Sequence, residues 1–208
     1  MIHPQILMNG IAKKLGEVPD EWLGKNRKTE YLLEQILSHP DEKSLVFSQF
    51  VSEMDIISDL LIENGVSVFR IDGSVSQEDR VDRIKKFKKT TDHAVFLIQI
   101  KAGGQGLNLQ EATRVYITSP SWNPATELQA IARSHRTGQT KKVTIKKLLY
   151  NGIEDLPSIE HSIMSLQGHK SIICSDVLND PRIVQQIPTK ITNKNNITIK
   201  DLKKIFQV

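Results

Sequence analysis

Arg133 and Arg136 stand three apart at the end of an apolar-periodic segment, Gln129-Ala-Ile-Ala-Arg133-Ser-His135-Arg136-Thr-Gly138-Gln139. On the last turns of a helix, residues at that spacing share a face, so both guanidinium groups would project the same way. Two planar, permanently charged groups aimed at one place can stabilise the charge that spreads over the γ-phosphoryl oxygens during phosphoryl transfer, worth on the order of 10³–10⁵ in rate. The plainer reading is a solvated basic helix end favoured by the helix dipole. Upstream, Lys101-Ala-Gly-Gly-Gln-Gly-Leu-Asn108 places three glycines within four positions. Such text either lets main-chain N–H groups approach a phosphate, or supplies a strand-end turn that needs positive φ. It is not a P-loop, because no Gly-x-x-x-x-Gly-Lys-Ser/Thr occurs in the chain.

The elements that must carry these residues alternate. Leu32, Leu33, Ile36 and Leu37 recur at helical spacing between Arg27 and His39, and Pro40-Asp41 stops them. Ser44-Leu-Val-Phe-Ser48 has strand length, and Met54, Ile56, Ile57, Leu60 and Leu61 return to helical spacing before Asn64-Gly65. Val66 to Ile71 is a second strand. Ser76 followed by Asp79 is a capping signal for a helix that carries Val81, Ile84 and Phe87. Ala94 to Ile100 and Thr113 to Ile117 are further strands, Pro124 to about Arg136 a helix, and Val143 to Leu149 a last strand. Nearly continuous apolar strands joined by helices predict an α/β fold, a doubly wound, mostly parallel sheet covered on both faces. Ligands of such sheets bind beyond the carboxyl ends of the strands, which directs attention to the loops after Ile100 and Ile117 and the helix from Pro124. Past Tyr150, Ile159, Ile163 and Leu166 mark one more helix, residues 189–197 form an Asn/Lys/Thr/Ile-rich linker, and Thr198 with Asp201 caps a short terminal helix.

Composition narrows the class further. With 208 residues, 38% of them hydrophobic and 25% charged, the chain suits one globular domain with an extension. The net charge of +4 is compatible with a polyanionic partner or with simple solubility. A lone cysteine, Cys174, excludes an internal disulfide framework and a four-cysteine zinc site, and suits a reducing compartment. Neither a secretory leader nor a bilayer-length apolar run is expected from the sequence.

Taken in order, Ser44-Leu-Val-Phe-Ser-Gln-Phe50, Arg70-Ile-Asp-Gly-Ser74, Lys101 to Leu109, Trp122-Asn-Pro124 and Gln129 to Gln139 resemble the successive second-lobe motifs of helicase superfamily 2, in its SWI/SNF-type branch. The resemblance runs from His3-Pro4 to about Lys170. It implies a RecA-like lobe at 27–150, preceded by an inter-lobe junction at 1–26. A brace-like helical extension at 151–188 and a flexible tail with a short helix at 189–208 would follow. By the same resemblance Arg133 and Arg136 are arginine fingers, with Gln129, Gly104 and Gly106 placed near the nucleotide for binding and coupling. Trp122 corresponds to an aromatic that presses on DNA, the alternative being a half-buried core tryptophan. Lys101, Gln49, Ser52 and Asn108 become candidates for DNA contact, or else solvated surface groups. Asp72 and Arg80 fit either function or structural pairing. The chain departs from the family at Ser119 and Ala132, where many members carry an acid, and at Gln99, where Ser or Thr is frequent.

Walker A and acidic-box text are absent, so ATP and Mg²⁺ would be held mainly by a first RecA-like lobe, supplied in trans or in a longer chain. The expectation is therefore half of an ATP hydrolase that tracks double-stranded DNA, inactive alone. The alternative is a non-catalytic DNA-binding fragment or regulator of the same fold. RNA unwinding is disfavoured by the Trp122-Asn-Pro124 and His135 to Gln139 text. An intracellular setting follows from the resemblance, nuclear in a eukaryote, with a viral source suggested by the AT-rich flavour of the tail.

Overall fold

The computed structural model describes residues 26–102, 107–150 and 158–178. Five strands, β1 (Lys43–Ser48), β2 (Ser67–Ile71), β3 (Ala94–Gln99), β4 (Ala112–Ile117) and β5 (Thr144–Lys147), lie in the order β2-β3-β1-β4-β5. Every pairing is parallel, with Leu45 opposite Phe96 on one side and Val115 on the other. The helices are α1 (Arg27–Leu37), α2 (Val51–Glu63), α3 (Gln77–Lys89), α4 (Pro124–Ile131) and α5 (Ile159–Leu178).

Alternation along β1 divides the core. Leu45 and Phe47 point into a cluster with Phe96, Ile98, Phe87 of α3 and Ala130 of α4. Val46 points the other way, joining Val95, Leu97 and Tyr116 with Leu32 and Ile36 of α1 and Met54, Ile57 and Leu61 of α2. Both faces are thus covered, as the apolar strands predict. Phe87 meets Phe96 and Phe69 edge-on, with ring centroids 5.0 and 5.6 Å away.

The caps follow from the text. Ser76 Oγ accepts from the Asp79 N–H at 3.1 Å, and Asn123 Oδ1 accepts from Ala125 N at 3.0 Å with Pro124 in the first turn. Asn26 caps α1 in the same way, accepting from Lys28 N. At the end of α2, Gly65 takes φ +75° and lets the chain reverse into β2.

One expectation is corrected. The helix from Pro124 stops at Ile131 rather than near Arg136, and residues 132–134 continue as turns. Here the N–H groups of Arg133 and Ser134 bond three residues back, to Ala130 and Ile131. Ser134, fully buried, turns its hydroxyl onto the Ala112 carbonyl, and Arg133 gives its own carbonyl to Leu109 N. Tertiary bonds to the start of β4 thus replace the next helical turn, and Gly138 at φ +98° completes the reversal.

The connection from β3 to β4 is equally decisive. It leaves the carboxyl end of β3 and re-enters at the amino end of β4, with β1 between them. It must therefore travel the length of a strand, about 20 Å for six residues. Ile100, Leu107 and Leu109 are buried on the α3/α4 face, which fixes its route. Residues 103–106, with Gly104 and Gly106, lie outside the described residues, as do residues 1–25 of the expected junction, 151–157 and 179–188 of the expected extension, and the expected tail at 189–208.

Candidate functional site

The carboxyl edge of the sheet presents Trp122, 44% exposed, at the end of a loop held residue by residue. The Thr118 carbonyl accepts from Lys28 Nζ at 2.8 Å, and the Thr118 hydroxyl donates to Glu53 Oε2 at 2.8 Å. Ser119 Oγ reaches the same carboxylate oxygen at 3.4 Å, and Ser48 Oγ donates to it at 2.5 Å. The carbonyl of Pro120 accepts from Gln49 Nε2. Ser121 N donates to Glu127 Oε1 at 2.6 Å, and the Ser121 carbonyl accepts from Gln167 Nε2. Glu53 is thus the acid beside Ser119, delivered from α2.

These clamps come from four helices and are themselves buried. Glu127 takes Lys147 at 2.5 Å and Gln167 at 2.7 Å, and Lys28 forms a 2.5 Å ion pair with Glu160 in which both side chains are under 10% exposed. Glu160 also accepts from Tyr150 N at 2.7 Å. Charges removed from water this completely persist only when paired and hydrogen-bonded, as these are. Lys28, Glu53 and Glu127 were not singled out from the sequence. The available signal was a charged residue inside an apolar helical face, as with Lys28 beside Leu32 or Glu53 beside Met54.

Further round the same edge, Arg70 pairs with Asp55 and Asp72 at 2.5 and 2.7 Å. The Ser74 hydroxyl, together with Arg70, holds the Asp72 carboxyl below its usual range against the opposing effect of burial. Arg80 donates to the carbonyls of Val75 and Asp72 at 3.0 Å, and more weakly to that of Ala102, so it ties this turn to the glycine-rich segment. Gln99 reinforces the tie by accepting from Gly73 N at 3.1 Å. Lys101 is exposed where the segment begins, and Asn108 is exposed near its end. Ser52 is half-buried in the first turn of α2.

The arginines lie elsewhere. Because α4 runs from the Trp122 loop towards the start of β4, eight residues or about 12 Å of helix separate Trp122 from the Arg133 region. Leu109 N donates to the Arg133 carbonyl at 3.0 Å, Gln110 Nε2 to that of Thr137 at 2.9 Å, and Gln139 Nε2 to that of Gln110 at 2.7 Å. Burial, with the positive charge of Arg136 added to it, lowers the Arg133 guanidinium from its ordinary pKa. Arg136 is exposed. The two cations are therefore electrostatic neighbours, although not on one helical turn as expected. Gln129 is exposed on α4, between the two edges.

Comparison with known proteins agrees with this geometry. Residues 27–138 match the helicase conserved C-terminal domain. The DNA repair protein RAD5 of Cryptococcus neoformans is 37% identical over 200 residues, 95% of this chain and 15% of that protein. The mouse helicase-like transcription factor is 39% identical over 67% of this chain and 14% of its own length. The RAD54-like DNA repair and recombination protein of Drosophila pseudoobscura is 31% identical over 92% of this chain and 23% of its own. The chain thus spans less than a quarter of these curated relatives. Among solved structures, the C-terminal part of the Fun30 ATPase domain superposes with a TM-score of 0.62 at 32% identity, over 78% of this chain and 54% of that one. With the five-stranded parallel sheet and the ordered motifs, these likenesses identify the chain as a member of the helicase conserved C-terminal domain family, of SWI/SNF type, carrying the second RecA-like lobe.

Proposed function

We propose that this lobe is one half of an ATP-dependent motor that moves along double-stranded DNA. The observation that carries the reading is where the two described ends of the glycine-rich connection lie. It starts beside Lys101 at the edge that presents Trp122 and ends in the hydrogen bond from Leu109 to Arg133. In this reading a displacement at one edge would reach the other through the main chain.

In this reading Arg133 and Arg136 meet the γ-phosphate of ATP carried by a first lobe, and their mutual repulsion is relieved by the charge developing there. Gln129, with Gly104 and Gly106, links the nucleotide to lobe closure. Trp122 presses its ring against DNA, while Lys101, Asn108, Gln49 and Ser52 serve the backbone without reading sequence. Gln49 does so indirectly, since its amide is committed to Pro120. The phosphate cradle and the carboxylates for Mg²⁺ belong to the first lobe. The names of the relatives speak of DNA repair and of transcription, and a nuclear setting suits this reading.

Mixing this chain with a first-lobe protein and duplex DNA is expected to give ATP hydrolysis that Arg136→Ala abolishes. Equal hydrolysis by the variant overturns the reading. Salt-dependent DNA binding with no response to ATP in any mixture would favour a non-catalytic DNA-binding module instead.

A further inference from the structure

Ser121, the residue immediately before Trp122, is 8% exposed and has both main-chain polar groups taken by side chains of distant elements. Its N–H goes to Glu127 of α4 and its carbonyl to Gln167 of α5. Gln167 is 4% exposed, and its amide nitrogen also donates to Glu127 Oε1 at 2.7 Å, closing a three-membered network around Ser121. The opposite end of the loop is tied to the same helix, since Lys28 bridges the Thr118 carbonyl and Glu160. Thus α5 grips the Trp122 loop at both ends, directly through Gln167 and by way of Lys28 through Glu160.

We propose that Gln167 is a positioning residue for Trp122, and that α5 sets the posture of the aromatic through it. The importance of this for DNA rests on the reading of Trp122 given above. The positioning does not, because it concerns the loop alone. The Glu127 carboxylate keeps Ser121 N and Lys147, but the buried Ser121 carbonyl that loses its donor must either remain unpaired or move towards water, and the loop is the part that can move. Ile163 and Leu166, both 7% exposed, pack α5 by apolar contact and offer a way to loosen the helix without removing that donor.

The test uses the whole chain with Trp22→Phe, leaving Trp122 as the only indole. Gln167→Met, which keeps the shape and removes the donor, is expected to raise acrylamide quenching of Trp122 and to weaken binding of a 25-base-pair duplex about 5- to 30-fold, as for one buried acceptor left unpaired. Gln167→Asn, whose amide falls a methylene short of Ser121, must show the same loosening, so the result does not depend on one variant folding. Leu166→Ala, matched for loss of thermal stability, must leave the quenching unchanged. Combining Gln167→Met with Trp122→Ala is expected to weaken binding no further than Trp122→Ala alone. Unaltered quenching in the Gln167 variants, equal loosening by Leu166→Ala, or losses that multiply in the double variant each overturn the proposal. If Trp122→Ala itself leaves DNA affinity intact, the DNA reading of Trp122 falls, and the quenching still decides whether Gln167 positions it.

Discussion

The main-chain N–H of Leu109 donates to the carbonyl of Arg133 at 3.0 Å. This bond joins the last residue of the glycine-rich connection to the first of the two arginines. With Ser134 on Ala112 and Gln139 on Gln110, it seats the arginine segment on the amino end of β4. The segment is therefore seated on the residues that lead into β4 instead of continuing α4.

On the proposed reading, Arg136 would serve the chemistry at some cost to its neighbour. Its charge, together with burial, disfavours protonated Arg133, so Arg136→Ala is expected to leave folding stability within about 0.5 kcal/mol of the parent, or to raise it slightly. Hydrolysis with the first lobe supplied should nevertheless fall by about 10³-fold or more. Urea denaturation and a steady-state ATPase assay on the same preparations check the two halves. A loss of stability matching the loss of activity would mean that Arg136 holds the lobe together instead.

What the residues made legible, and what they did not, divides by distance along the chain. Strands of both-face burial, such as Ser44–Ser48 and Ala94–Ile100, announce themselves as apolar runs, and the Ser76–Asp79 cap lies within one helical turn. The end of α4 does not, because it is decided by Ser134 bonding to Ala112, 22 residues away. The clamps on the Trp122 loop are further out of reach: Glu53 and Thr118 are 65 residues apart, and Lys28 and Glu160 are 132 apart. A charged residue on a helix reads as surface until its partner is placed beside it. The motif text sets Trp122 and Arg133 apart as separate features, but nothing in it shows that eight residues of helix hold them at opposite ends of the sheet.

The Lys28–Glu160 pair supplies a stability prediction. Both side chains are buried, and Lys28 also serves the Thr118 carbonyl while Glu160 serves Tyr150 N. Lys28→Met strands a buried carboxylate and is expected to cost about 3–5 kcal/mol. Lys28→Met with Glu160→Met removes the stranded charge and should recover a substantial part of that loss. Denaturant midpoints of the parent, Lys28→Met, Glu160→Met and the double variant measure the coupling; a double variant as unstable as the sum of the singles would show that the pair is not an interacting unit.

Acid should destabilise the lobe in two stages. Burial lowers the His93 pKa in the folded chain from the ordinary 6.5, more than its main-chain contact and Asp41 raise it. Below pH 6.5 the unfolded chain therefore binds a proton that the folded chain resists, and stability falls as pH drops. Glu42, held down by the Thr113 hydroxyl and Arg114, and Asp72, held down by Ser74 and Arg70, add a second decline. Their stabilisation is complete above the unfolded values of 4.5 and 3.8 and is lost as pH falls through their lower folded values. His93→Gln should flatten the decline that begins below pH 6.5, and Asp72→Asn the one that begins below pH 3.8, with at most about 1.4 kcal/mol per pH unit for each proton. Urea titrations across pH 3–8 are the measurement, and unchanged slopes in both variants would remove these groups from the account.

Trp122 and Lys101 should leave different signatures in DNA binding, because one offers a ring and the other a charge. An ammonium that neutralises a phosphate releases a counterion, so Lys101→Ala is expected to lower the slope of log affinity against log salt by about 0.9. Stacking releases none, so Trp122→Ala should weaken binding by about 1–3 kcal/mol at every salt concentration and leave the slope as it was. Lys101 is exposed at the start of the glycine-rich connection and Trp122 stands on a clamped loop, so neither substitution disturbs the core. Fluorescence anisotropy of a labelled duplex between 25 and 200 mM salt would separate the two effects. A slope that falls with Trp122→Ala and holds with Lys101→Ala would reverse the assignment, placing the phosphate contact in a group that depends on the Trp122 loop for its position.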